Sequence, residues 1–278
     1  MKRRLETAIE ADLVKSNLWT KKLKNDCQSQ SVFLAIRDNK IGLYHKGGLL
    51  FCFDNNGYKT HIKYASVISS NGKDYLTESE LAQYKLSSDF ESNYSRIKEN
   101  CSKYSGIEAA SVSEIYHRHS YLSANNIVVL DIEVSFESYN EENYQDRIDI
   151  LLFNKLTQTL QFVEAKHYSN KEIWSKATPK VISQINRYEN QIKQRTPEIL
   201  KEYAEYVKSI NNLFAITLPV PEKIDPKVTL LIFGFDSDQL KGRLNELIIK
   251  KEEFKGLKVY TRGDISKIET KTLWNAKE

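Results

Sequence analysis

Asp149, Glu164 and Lys166 stand in the stretch RIDILLFNKLTQTLQFVEAKHYSN, Arg147 to Asn170, inside two runs that otherwise read as buried β-strands. Charges in such runs are costly unless they are paired or bind something. Centring the hairpin on Leu156-Thr157 sets Asp149 opposite Glu164, and strand alternation puts Lys166 on the face of Glu164. The rest of that face, Leu151, Phe153, Leu160 and Phe162, is apolar, and so is the reverse face of Ile148, Ile150, Leu152, Val163 and Ala165. Two facing carboxylates repel, and one takes up a proton unless a cation intervenes. A divalent ion such as Mg²⁺ accepts carboxylate and water oxygens, and a nearby ammonium then orients a water or stabilises charge developing on a phosphate. A plain ion pair of Lys166 with Glu164 or Asp149, securing a strand end, accounts for the same charges. The strand pair alone does not choose between them.

The elements around this hairpin have a definite order. IEAASVSEIYHRHSYL carries Val112, Ile115, Tyr116, His119 and Leu122 on one helical face, and NIVVLDIEVSF alternates as a strand. RIDILLF and LQFVEAKHY follow as two more strands. Two helices are then expected, each opened by a Thr-Pro step at Thr178-Pro179 and Thr196-Pro197, with a capping side chain before a proline at the first helical position. KVTLLIFGF reads as a fully apolar strand, Leu240, Leu244, Leu247 and Ile248 as a helix, and LKVYTRGD as an edge strand. The order α-β-β-β-α-β predicts an α/β fold, a mixed sheet with helices on both faces.

The amino-terminal part differs. Leu5, Ile9 and Leu13 recur at helical spacing, and SVFLAIR, IGLYHK, LLFCF and THIKYASVI are short β-rich runs. DNK, KGG and DNNG between them supply turn residues for a small antiparallel meander. Phe90, Tyr94, Ile97 and Cys101 then share a helical face that Gly106 ends. The expected division is 1–88, a helix plus β meander serving as a specificity or partner module, and 89–278, the domain of the charged hairpin.

The pattern I-D, fourteen residues, E-A-K on consecutive antiparallel strands resembles the PD-(D/E)XK nuclease superfamily over roughly residues 105–235. Asp149 matches the motif aspartate, and Glu164-Ala165-Lys166 the E-x-K. QINRY on the following helix places Gln184 and Tyr188 one turn apart, which is similar to the Q-x-x-x-Y element of the RecB-type branch. The resemblance implies a restriction-endonuclease-like αβββαβ core. It also implies Mg²⁺ or Mn²⁺ held by Asp149, Glu164 and the Ala165 carbonyl, with Lys166 assisting the attacking water and Gln184 and Tyr188 positioning substrate. The expected activity is phosphodiester hydrolysis, on DNA in preference to RNA, leaving a 5′-phosphate. A non-catalytic nucleic-acid-binding or assembly protein on the same fold is the alternative. The family's additional acid has two candidates: Glu108, on the apolar face with Val112 and Ile115, and Glu133, set beside Asp149 by a loop centred near residue 141.

Other polar residues have plainer readings. His117 and His119 point apart on a helix, so His119 reads as a core histidine, and His167 faces away from Lys166. Glu114 reads as solvated. Lys171, Lys176, Lys180, Arg187, Lys193 and Arg195 form either a solvated face or a set of phosphate contacts. KGG lacks a following helix and is a turn, not a phosphate loop.

Bulk composition sets limits. With 40% hydrophobic and 28% charged residues the chain is globular rather than disordered, and 41 Lys+Arg against 37 Asp+Glu permits a nucleic-acid partner without demanding one. Cys27, Cys52 and Cys101 lie far apart without a C-x-x-C pair, which argues against a disulfide framework or zinc site. Neither a signal peptide nor a membrane span is indicated, so a cytoplasmic protein is expected, with a second copy or another protein allowed as partner.

Overall fold

A computed structural model describes residues 1–66, 77, 79, 86–136, 147–174 and 178–277. It divides into two compact units: Leu5–Ser113, and Met1–Arg4 with Glu114–Glu278. The sequence expectation placed the division at residue 88.

The first unit is built on a four-stranded antiparallel sheet, β1 (Phe33–Arg37), β2 (Lys40–His45), β3 (Gly48–Asp54) and β4 (Gly57–Lys59), in that spatial order. The tight turns follow the sequence: Asn39 sits at φ 60°, and Lys46 and Gly47 at 46° and 84°. Gly47 has a second constraint, because a Cβ there would come within 2.4 Å of the Ala109 backbone. Helix α1 (Thr7–Lys15) buries Ile9 and Leu13, and α2 (Tyr94–Lys103) buries Tyr94, Ile97 and Cys101. The described part of THIKYASVI, residues 60–66, departs from the strand expected there, and Val67 and Ile68 lie outside the described residues. His61 caps a helical turn at Ile62–Ala65, its Nδ1 accepting from the Lys63 N–H at 3.1 Å. Helix α3 (Ile107–Arg118) starts in this unit and ends in the other.

The second unit is a mixed α/β structure on a six-stranded sheet. Its strands are β5 (Ile127–Ser135), β6 (Arg147–Asn154), β7 (Thr159–His167), β8 (Lys223–Ile224), β9 (Thr229–Phe233) and β10 (Lys258–Arg262). The order is β10-β9-β7-β6-β5, with β8 a short addition to β7. β5, β6 and β7 are antiparallel neighbours, whereas β9 runs parallel to both β7 and β10. β9 is buried throughout, as its unbroken apolar run requires, and β10 closes one edge as expected. The β6–β7 register pairs Leu151 with Phe162 and Phe153 with Leu160, the alignment that Leu156-Thr157 predicted. The loop from β5 to β6 lies outside the described residues.

The two helices expected after β7 are one, α4 (Lys180–Phe214), 35 residues long with Pro197 inside it. Pro179 stands at its start, but as the N-cap and without a side-chain cap rather than as the first helical residue, and Thr196-Pro197 does not restart it. The buried stripe runs past the proline without a break, through Ile185, Tyr188, Ile192, Ile199, Tyr203 and Val207. Thr196 donates its hydroxyl to the Ile192 carbonyl at 2.8 Å, which feeds one acceptor near the proline's missing donor. Continuous burial of an apolar face outweighs the local cost of a proline. The predicted helix near Leu240 forms as a π-helical segment, Leu240–Ile249, broken at Gly242, with Leu244 and Ile248 buried. Helix α5 (Thr270–Trp274) hydrogen-bonds the start of β5 through the Thr270 hydroxyl and the Ile127 carbonyl, 2.7 Å.

Candidate functional site

Backbone pairing of β6 with β7 runs from Asn154↔Thr159 to Ile150↔Val163. One residue further on, the Ala165 N–H donates to Oδ2 of Asp149 at 2.7 Å. The Asp149 side chain therefore occupies the place where a backbone acceptor would continue the ladder. In an extended strand a residue's N–H and C=O leave on the same side, so the Ala165 carbonyl is directed into this same gap. Glu164 and Lys166 flank Ala165 on β7, 2% and 6% exposed, which is rare for either residue type.

Lys166 lies between two carboxylates. Its Nζ is 2.9 Å from Glu164 Oε1 and 2.6 Å from Glu172 Oε2. Burial alone would lower the lysine pKa, but attraction to Glu164 and the hydrogen bonds to Glu172 and Glu164 outweigh it, so the value is raised above the ordinary 10.5. Lys166 is an ammonium at neutral pH. It can donate, orient a water or stabilise anionic charge, and it cannot take a proton. Glu172 is held by Asn170, whose Oδ1 accepts from the Glu172 N–H at 3.0 Å.

Helix α4 reaches β6 just ahead of the acid. Gln184 Nε2 donates to the Tyr188 hydroxyl at 2.6 Å, and that hydroxyl donates to the Arg147 carbonyl at 2.7 Å. Tyr188 is fully buried, on a face with Val181, Ile185 and Ile192, while Gln184 is half-buried. The pair therefore fixes the backbone two residues before Asp149, with only Gln184 accessible from outside.

The two candidates for the additional acid part company. The β5–β6 register pairs Ile132 with Ile150 and Val134 with Ile148, which sets Glu133 level with Asp149 as the loop arithmetic required. Its backbone, however, is left-handed at φ 51°, and its carboxylate pairs with Arg147 Nη1 at 2.7 Å. Glu108 belongs to the other compact unit. Among the described residues, no group of three His, Cys, Asp or Glu side chains is arranged to hold a metal ion. Asp149, Glu164 and the Ala165 carbonyl offer hard oxygens, of the kind Mg²⁺ or Mn²⁺ takes together with water.

The remaining polar residues fall mostly as read. His119 is buried, its Nε2 donating to the Ile268 carbonyl at 3.1 Å while Nδ1 accepts from Asn125 at 3.0 Å; desolvation lowers its pKa, so it is neutral. Glu114 is exposed, and so are Lys171, Lys180, Arg187 and Lys193, but Arg195 is buried and leaves that solvated face. Lys176 lies outside the described residues. Sequence reasoning missed Glu172. Its signal was the Asn170-Lys171-Glu172 turn, in which an Asn side chain caps the backbone two residues on. It also missed Asp131, which is wholly buried and whose Oδ2 accepts from Arg3 Nε at 2.9 Å and from the Tyr203 hydroxyl at 2.8 Å. No short-range signal links residues so far apart in the chain. Among the described residues no helix is long and apolar enough to cross a membrane. No protein-family model, curated protein or solved structure matches the chain.

Proposed function

We propose that the second unit carries a divalent-metal-dependent nuclease site, acting on DNA in preference to RNA and leaving a 5′-phosphate. The observation that carries this reading is the opened β6–β7 ladder. There the Asp149 carboxylate lies against the Ala165 peptide, and Glu164 and Lys166 flank it on the adjoining strand. A strand-end ion pair needs Lys166 and one acid. It does not call for a second acid lodged between the strands beside a carbonyl aimed at the same gap.

Asp149, Glu164 and the Ala165 carbonyl would hold Mg²⁺ or Mn²⁺. When bound, such an ion supplies charge neutralisation at the phosphate and activates water. The chain's own residues do the rest. Lys166, an ammonium at neutral pH, orients the attacking water and stabilises charge developing on the phosphate oxygens. Glu172 is the second carboxylate that holds the Lys166 ammonium, at 2.6 Å. Gln184 and Tyr188 hold β6 in place behind Asp149, and the half-buried Gln184 amide orients substrate. Coordination positions beyond these ligands fall to water and substrate oxygens, as Mg²⁺ sites commonly allow.

The test is cleavage of plasmid, linear and single-stranded DNA and of RNA by the purified chain with Mg²⁺ or Mn²⁺. Cleavage is expected in the parent protein and absent from Asp149→Ala. Equal activity in the two, or none with any metal and substrate, overturns the reading. A separate readout is thermal stability with Mn²⁺: saturating metal should stabilise the parent by roughly 1–3 kcal/mol, and Glu164→Ala should remove that gain.

A further inference from the structure

The surface beside Lys166 carries a second feature that metal chemistry does not use. Tyr168 follows Lys166 by two positions, and its N–H still bonds the Phe233 carbonyl at 2.7 Å. Tyr168 thus follows the end of β7 directly and stays tied to the sheet, two positions from Lys166. Trp174 is drawn against it. Its indole Nε1 donates to the Tyr168 carbonyl at 2.7 Å, and the two rings meet edge to face at 4.9 Å. Phe235, just past β9, has its ring 6.4 Å from that of Tyr168, and the Arg243 guanidinium lies over the Trp174 ring at 4.1 Å. The short turn that delivers Glu172 to Lys166 also delivers Trp174 to this cluster.

Exposure separates these rings from the core. Phe162, Phe233 and Tyr188 are closed off completely or nearly so. Tyr168, Trp174 and Phe235 are each only partly covered, and Arg243 is exposed. Core packing would hide such rings, and a purely solvated surface would not gather three of them with a guanidinium over one. Aromatic faces with an arginine beside them take up planar, electron-rich rings by stacking, and the guanidinium adds attraction to a ring face or a phosphate. Bases within a duplex have their faces covered by neighbouring base pairs, so only unpaired bases can use such a surface.

We propose that Tyr168, Trp174, Phe235 and Arg243 form a stacking platform for unpaired bases of single-stranded nucleic acid, next to the Asp149–Glu164–Lys166 site. Its role in cleavage rests on the nuclease reading above; its binding of single strands does not. The platform holds the bases that flank the phosphate under attack, which makes single-stranded or frayed nucleic acid the preferred substrate.

The experiment is fluorescence anisotropy with a labelled oligothymidylate and a closed hairpin duplex. It uses the full chain carrying Asp149→Ala, without added metal, so that nothing is cleaved. The oligothymidylate should bind more tightly than the hairpin. Trp174→Ala should weaken oligothymidylate binding by about tenfold, the scale of one lost base–aromatic stack, without moving the hairpin affinity. Trp174→Phe should retain most of the affinity, because it keeps a stacking ring while losing the indole hydrogen bond. Arg243→Met should show a smaller loss than Trp174→Ala. The platform is overturned if the parent does not bind oligothymidylate or prefers the hairpin, if Trp174→Ala binds as the parent does, or if Trp174→Phe loses as much as Trp174→Ala. A chain that binds single strands through Trp174 yet cleaves nothing refutes the nuclease reading alone. One that cleaves DNA with Trp174 irrelevant to binding refutes the platform alone.

Discussion

Two acids on neighbouring strands of one sheet, Asp131 on β5 and Asp149 on β6, are treated in opposite ways. Asp131 is wholly buried and surrounded by fixed donors: Arg3 Nε and the Tyr203 hydroxyl on Oδ2, and the Ile132 N–H on Oδ1 at 2.8 Å. The partners come from the amino-terminal segment, from α4 and from its own strand, so the carboxylate ties three parts of the unit together. Asp149 is half-buried where the ladder opens, where the Ala165 N–H donates to it at 2.7 Å and the flanking residues of β7 are a second acid and an ammonium. A carboxylate enclosed by donors is a structural tie. One placed at a gap, beside another acid, is the one the proposed function assigns to a metal ion. Burial alone does not tell the two apart; the identity of the partners does.

The comparison can be broken most decisively at Asp131. Asp131→Ala leaves the buried Arg3 guanidinium without its carboxylate and should cost about 3–5 kcal/mol in urea unfolding. Replacing Arg3 and Asp131 together by apolar residues should cost much less, since no charge is then stranded. Asp149→Ala should do the reverse: it lowers metal-dependent cleavage by at least roughly a hundredfold and leaves the unfolding midpoint near that of the parent. If Asp131→Ala folds normally, or Asp149→Ala unfolds the chain, the contrast fails.

Lys166 sharpens the comparison through pH. Its folded pKa is raised above 10.5, so its pairing contributes fully below that value and is lost as pH rises through the folded pKa. The stability gap between the parent and Lys166→Met should therefore stay constant from about pH 7 to 9 and narrow only above 10.5. Unfolding in urea at stepped pH measures it, and a gap that closes near neutrality would mean that Lys166 is not held as an ammonium. The smallest expected effect is that of Tyr188→Phe. It removes the bond to the Arg147 carbonyl and should cost on the order of 1 kcal/mol of stability. A modest fall in cleavage with unchanged metal stabilisation would show that Tyr188 positions β6 rather than touching the metal.

Local pattern and short-range arithmetic were enough for much of this protein. Alternation and turn chemistry predicted the amino-terminal meander, because a tight hairpin needs particular residues at positive φ and Asn39 and Gly47 provide them. The apolar alternation of RIDILLF against LQFVEAK set the β6–β7 register, since a slip by one residue would turn every buried side chain outward. That register was sufficient to bring Asp149, Glu164 and Lys166 to one place. Helix periodicity likewise put Gln184 and Tyr188 on one turn.

Tertiary structure decided the rest. Thr196-Pro197 reads locally as a helix start, yet α4 continues through it, because the stripe from Tyr188 to Tyr203 has a sheet to bury against. Glu133 has the register that the loop arithmetic required, but its left-handed backbone and its ion pair with the Arg147 guanidinium are set by the fold. Glu172 and Arg3 find Lys166 and Asp131 across a loop and across 128 positions of chain, and the second separation is one at which sequence spacing carries no signal. Periodicity reports which face a residue occupies. Which charge meets which is settled only when separate elements pack, because a buried charge takes the partner that the fold brings within reach.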